Sequence, residues 1–175
     1  MDAVEARKLG NTMLISRLVR AVQLDPQLYS EVAADKSALV QALAIIFISS
    51  AAIGVGSAGG YPGQIPYMAM MALLGRMAWI GTIYIIGTKL FTGHATQADF
   101  GAIVRVAGFA SAPALIRVIA YFPPFTVIAS VGAIIWAFGA MVIAVQQAFA
   151  YRRISHAVGL IFLGWFLFQA LLFFA

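Results

Sequence analysis

Residues 118–151 read VIAYFPPFTVIASVGAIIWAFGAMVIAVQQAFAY, without a single Asp, Glu, Lys or Arg. Pro123-Pro124 interrupts the apolar run. Neither proline can donate a backbone hydrogen bond, so one helix ends there and another begins. The segment after the pair is long enough to cross a bilayer, which takes ~20 mostly apolar residues at ~1.5 Å each. The run is continuous, not alternating, and far longer than the ~10-residue strand of a membrane barrel. This stretch therefore reads as the end of one membrane helix and the whole of the next.

Working outward, residues 37–75 and 154–175 are also free of formal charge. The first of these stretches is broken by GSAGGYPGQIP at residues 56–66, rich in the residues that end helices. Spans are expected at about residues 38–58, 67–90, 100–122, 125–149 and 157–175. The expected fold is all-α: a polytopic membrane protein of five transmembrane helices. Residues 1–37 would form a cytosolic or interfacial segment and residues 38–175 the membrane domain.

Composition agrees. Of 175 residues, 63% are hydrophobic and 10% charged. A soluble domain carries roughly 25% charge, so this chain lacks the polar skin that a small soluble fold needs. An ordinary soluble enzyme, a disordered tail and a fibrous repeat are excluded. There is no cysteine, which removes disulfides, thiolate metal sites and cysteine nucleophiles.

The net charge of +5 would suggest nucleic acid in a soluble domain. Here it reads as orientation, because cytoplasmic loops carry the excess of Lys and Arg. Arg7, Lys8, Arg17, Arg20 and Lys36 precede the first span, Lys89 ends the second, and Arg152 and Arg153 precede the fifth. The amino terminus is expected inside and the carboxyl terminus outside, with no nucleic-acid partner. No cleavable signal is expected, since the first residues are charged rather than apolar. Met13, Leu14, Ile15, Leu18, Val19, Val22 and Leu24 fall near helical spacing, with Arg17, Arg20 and Gln23 opposite. This predicts an amphipathic helix on the inner leaflet, its cations toward anionic headgroups. Asp25-Pro26 predicts a second helix start.

Candidate chemistry is sparse. GVGSAG at residues 54–59 has the letters of a dinucleotide fingerprint but lacks the preceding strand, the following helix and the later acid. His94 and His156 are far apart, and no metal constellation forms around them. His156 offers at most an axial ligand to haem or chlorin; no cofactor is expected. No catalytic motif is present, and no enzyme is expected. The intramembrane polar candidates are Arg76, Arg105 and Arg117, with Asp99 the sole acid after residue 35. Arg105 and Arg117 lie close enough to helix ends to snorkel. Arg76 lies deeper if its span begins at residue 67, and a buried ionisable group is a functional hypothesis by default.

Small residues supply packing faces: Ala133, Ala137, Ala140, Ala144 and Ala148 on the fourth span, and Ala107, Ala110, Ser111, Ala112 and Ala114 on the third. They suit the internal contacts of the bundle, and through some of them a membrane-protein partner or a second copy. Gln146 and Gln147 offer hydrogen bonds across helices. Trp79, Trp136 and Trp165 read as packing residues.

Four segments together carry a family resemblance: LDPQLYSEVAADKSALVQAL (24–43), IGTKLFTGHATQADFGAIVRVAGFASAPAL (86–115), IIWAFGAMVIAVQQAF (134–149) and HAVGLIFLGW (156–165). The chain resembles the Yip (Ypt-interacting protein) family of multi-pass membrane proteins, in its short prokaryotic form. The resemblance implies five spans and a cytosolic amino terminus. Eukaryotic relatives are associated with small prenylated GTPases and with the shaping of Golgi and ER membranes. Within the motif, Gly93 and His94 are expected at a turn, and Thr96 and Asp99 resemble a capping box. Pro113 should kink its span and leave a carbonyl without its partner. The expected function is a non-enzymatic scaffold, membrane-organising protein or accessory subunit in a bacterial cytoplasmic membrane. A small transporter or channel for an anion or small solute is the alternative.

Overall fold

The computed structural model describes residues 3–89 and 99–174. Among the described residues the protein is 87% helix, with no strand. Helices α1 (Ala3–Val22) and α2 (Pro26–Ala34) form a hairpin. Its turn is closed by Leu24 N–H on the Ala21 carbonyl and Asp25 N–H on the Arg20 carbonyl, both 3.1 Å. Leu24 takes the left-handed position, at φ 61°, that glycine usually fills in this closure. Asp25 then caps α2, its carboxylate accepting from Gln27 N–H at 2.9 Å, and Pro26 takes the first helical position, as the sequence predicts.

Helix α3 (Ala38–Ser57) leads through Gly59 and Gly60, both at positive φ, and a short 3₁₀ turn (Pro62–Gln64) into α4 (Ile65–Lys89). Helix α5 (Phe100–Phe109) is followed by a 3₁₀ helix (Ala112–Tyr121), and the two are bent by 45°. Ten residues is long for a 3₁₀ helix. Pro113, lacking an N–H, is the identifiable cause of the break. A second 3₁₀ turn (Pro123–Phe125) holds the proline pair, then α6 (Thr126–Ala148) and α7 (Ile154–Phe174) complete the order. Helix α6 ends in the same closure as α1. Ala150 sits at φ 51°, and Tyr151 N–H reaches the Gln146 carbonyl at 3.0 Å.

Among the described residues, three helices are long and apolar enough to cross a membrane: Ala38–Ser57, Pro62–Lys89 and Pro123–Ala148. The bent pair Phe100–Phe109 and Ala112–Tyr121 makes a fourth if it is one span. The described apolar part of α7, Ile154–Leu167, is shorter. Among the described residues the count is three or four by length and composition, against five expected. The third expected span is a broken one, because Pro113 stops α5 just past Phe109.

Helix α3 sits centrally, packed on α4, α5 and the 3₁₀ helix. Three glycines permit the approach. A Cβ on Gly54 would lie 2.6 Å from the Ala69 nitrogen, and one on Gly108 2.6 Å from the Ala42 Cβ. A Cβ on Gly56 would overlap the Arg117 carbonyl oxygen outright. Lipid gives helices no hydrophobic reason to associate, so such backbone contact matters more than in water. Gly54 and Gly56 of GVGSAG are therefore helix-packing positions, and Gly59 is a turn residue. The alanine faces are spent in the same way. Ala133, Ala140, Ala144 and Ala148 of α6, and Ala107, Ala110, Ser111, Ala112 and Ala114 across the break, are all buried within the chain, while Ala137 is half-buried. The hairpin shares this core: Leu28, Tyr29 and Val32 are fully buried with Ile103 and Phe109.

Candidate functional site: the arginines of the bundle

The described residues place the polar candidates separately. Asp99 caps α5, its carboxylate accepting from Ala102 N–H at 2.6 Å. It is the cap itself, not the third residue of a box opened by Thr96. Thr96, Gly93 and His94 lie outside the described residues.

Arg105 does not snorkel. It is 4% exposed and turned into the protein. Its Nε donates to the Val32 carbonyl at 2.9 Å and its Nη2 to the Ala33 carbonyl. These are last-turn carbonyls of α2, which a helix leaves without internal partners. A cation there is also favoured by the helix dipole. Helix α2 has no basic residue in its own last turn, so α5 supplies one. No local pattern in the sequence signals this pairing, because donor and acceptors are far apart along the chain.

Arg17 and Arg20 are likewise engaged. Arg17 Nη2 lies 2.7 Å from Asp35 and 3.2 Å from Glu31, and its Nη1 donates to Gln41 Oε1 at 3.0 Å. Arg20 pairs with Asp25 and Glu31, both at 2.8 Å. Arg17 and Arg20 therefore face carboxylates of the hairpin and its exit, and Arg17 also the Gln41 amide in α3, rather than headgroups as expected. The Arg20 guanidinium holds the Asp25 and Glu31 carboxyls below their usual range. Ser37, and after it Arg17, does the same for Asp35.

Trp136 adds a further tie: its Nε1 donates to the Val22 carbonyl at 2.9 Å, at the last turn of α1. Trp136 lies ~18 Å along α6 from Ala148 by helical rise, so the end of α1 meets α6 near the middle of that helix. Gln146 turns back on its own helix end, Nε2 donating to the Tyr151 carbonyl at 3.4 Å, rather than reaching across helices. Burial raises the Tyr151 phenol to about 12. His156 is exposed, with its ring edge-on to Tyr151 at 5.9 Å. No group of three metal-ligating side chains exists among the described residues.

Arg117 lies at the Ser57 end of α3, with Nη2 3.2 Å from Ser57 Oγ. Arg76 differs from both other arginines. Helix α4 begins at Ile65, which puts Arg76 ~16 Å along the helix from that end and ~20 Å from Lys89. Its Nη1 donates to Ser111 Oγ at 2.7 Å, and Ser111 donates in turn to the Ala107 carbonyl at 2.7 Å. Ser111 stands at the break between α5 and the 3₁₀ helix, where its own N–H has moved to the Gly108 carbonyl. The side chain thus serves a carbonyl that the bend deprives of its usual partner. Arg76 Nε is buried with no hydrogen bond, as is Arg117 Nε, so what sets Arg76 apart is its depth along the helix.

Comparison with models of protein families, with curated proteins and with solved structures gives no match.

Proposed function

We propose that the chain is a non-enzymatic integral membrane protein of the Yip type, acting as scaffold, membrane-organising protein or accessory subunit of a larger complex. One observation carries this reading: the polar groups of Arg105, Trp136 and Arg17 fasten the amino-terminal hairpin to the bundle. Buried polar groups spent on holding an element in place suit a protein that presents a fixed shape. The outer surface supports the same reading. Phe47 and Ile48 of α3, Met70 and Leu74 of α4, and Ile135 of α6 are exposed large apolar residues, suited to lipid or to another membrane protein.

In this reading the protein lies in a bacterial cytoplasmic membrane with five spans, amino terminus inside and carboxyl terminus outside. It carries no cofactor and binds no nucleic acid. Native mass spectrometry after gentle extraction tests it. A stoichiometric complex is expected, and a lone monomer in every condition overturns it. The absence of native cysteine makes the topology directly measurable. Cysteine at Gly63 should react with an impermeant maleimide from outside the cell, and cysteine at Arg153 should not.

A second reading is a small transporter or channel for an anion. The bent pair favours it, since interrupted helices beside a charged side chain are where transporters place their sites. Flux into liposomes containing the purified protein decides between the two.

A further inference from the structure

Arg76 is an incompletely partnered cation in the middle of an apolar helix. The ion-paired carboxylates among the described residues, Asp25, Glu31 and Asp35, belong to Arg17 and Arg20. The Ser111 hydroxyl takes only the Nη1 end of Arg76. Nε is buried and unbonded, and no hydrogen bond to Nη2 is formed among the described residues. The unused side of the guanidinium is therefore the Nε–Nη2 edge. That edge presents two parallel N–H groups, the geometry that matches a carboxylate or phosphate in bidentate fashion. An orphaned buried donor calls for an ion or a water as its explanation. A cation without a countercharge at this depth is costly, and a bound anion offsets that cost.

We propose that the Nε–Nη2 edge of Arg76, beside the Ser111 break in the bent helix pair, binds a single oxyanion group, a carboxylate or a phosphate. Ser111 fixes the guanidinium from the opposite end. Its one proton goes to Ala107, so it accepts from Arg76 and holds the planar fork in one orientation. The rigid break supplies the position, and the arginine edge supplies the charge and the fork. The site goes beyond the accessory-subunit reading and does not require transport, since an anion held there permanently satisfies the same groups.

The test uses the full chain in maltoside micelles with chloride as background anion. Acetate and inorganic phosphate are titrated into delipidated protein and binding is read by calorimetry. Phosphatidylglycerol retention is read by native mass spectrometry. Saturable binding of a soluble probe at one site per chain identifies a free anion, and a retained single phosphatidylglycerol identifies a lipid phosphate. Either result supports the site. Arg76→Lys keeps the charge but not the planar pair, and should weaken binding at least tenfold, while Arg117→Lys leaves it unchanged. Arg76→Gln is the second variant if the lysine form does not fold, and it should lose binding as well. Three results overturn the proposal: no binding of either kind to the wild type, equal binding by the Arg76 variants, or equal loss in Arg117→Lys. None depends on whether a partner protein or a flux is found.

Discussion

The Arg105 guanidinium, on α5, closes the C-terminal end of α2 by donating to the Val32 carbonyl at 2.9 Å. Removing it leaves buried carbonyls unsatisfied, at about 1–3 kcal/mol for such a group. Arg105→Ala is expected to lower the unfolding midpoint in detergent and to expose the hairpin to limited proteolysis. Arg105→Lys should recover part of the loss, because a single ammonium can reach one carbonyl but cannot fork across two.

Trp136→Phe removes one hydrogen bond to the Val22 carbonyl and keeps most of the ring's packing. A loss of roughly 0.5–1.5 kcal/mol is expected. Cleavage within residues 3–25 should accelerate while the rest of the bundle stays resistant. Equal resistance of the hairpin in variant and wild type would show that this tie contributes nothing.

Gly56→Ala drives a methyl group into the Arg117 carbonyl oxygen, and Gly54→Ala places one 2.6 Å from the Ala69 nitrogen. Both neighbours are backbone and cannot turn aside. Each variant should lose about 1–3 kcal/mol as an overpacked contact. Gly132 is the control: a methyl group there would meet nothing within 4 Å among the described residues, so it should tolerate alanine. Thermal melts of the three variants side by side separate packing from helix propensity.

The hairpin should loosen in acid. The Asp25 and Glu31 carboxyls are held below their ordinary values of 3.8 and 4.5 by Arg20, and Asp35 below 3.8 by Ser37 and then Arg17. Groups shifted downward on folding contribute stability above their unfolded values and lose it as pH falls through the folded ones. Proteolytic protection of the hairpin should therefore hold from neutral pH down to those ordinary values and decline below them. In Arg20→Gln the Asp25 and Glu31 carboxyls return toward ordinary values, so protection should be lower at neutral pH and fall less on acidification.

Ala150 occupies the left-handed region at φ 51° and is exposed, so Ala150→Gly removes backbone strain without removing a contact. A gain in stability of about 0.5–1 kcal/mol is expected. The same exchange at Leu24 is no simple counterpart, because the Leu24 side chain packs on the core.

The helical fold is legible in the sequence because its signal is local. Residues 118–151 declare a membrane helix by length and lack of charge, and Asp25-Pro26 declares the start of α2. The proline break is legible too, as Pro113 lacks a donor wherever it stands. The bend, and the long 3₁₀ helix beyond it, depend on what packs behind Pro113, which no local pattern encodes. The arginines stand out as exceptions but not in their roles. Snorkelling describes Arg105 by its distance from a helix end, whereas its partners are carbonyls of a helix made long before it. Arg17 and Arg20 escape local reading for the same reason, since Glu31 and Asp35 become their neighbours only once the chain turns at Leu24.

The hairpin's ties have a temporal consequence. Helices α1 and α2 leave the ribosome before the rest of the bundle, yet Arg105 and Trp136, which supply two of their three ties, are synthesised only after α4 and well into α6. Contacts of such long sequence separation form late. Until then Leu28, Tyr29 and Val32 have no core to enter, and the nascent chain carries an unsecured apolar hairpin ahead of its membrane helices. Whatever receives that hairpin during biogenesis, lipid surface or chaperone, must release it once α6 is in place. A segment made early is among the last to find its seat.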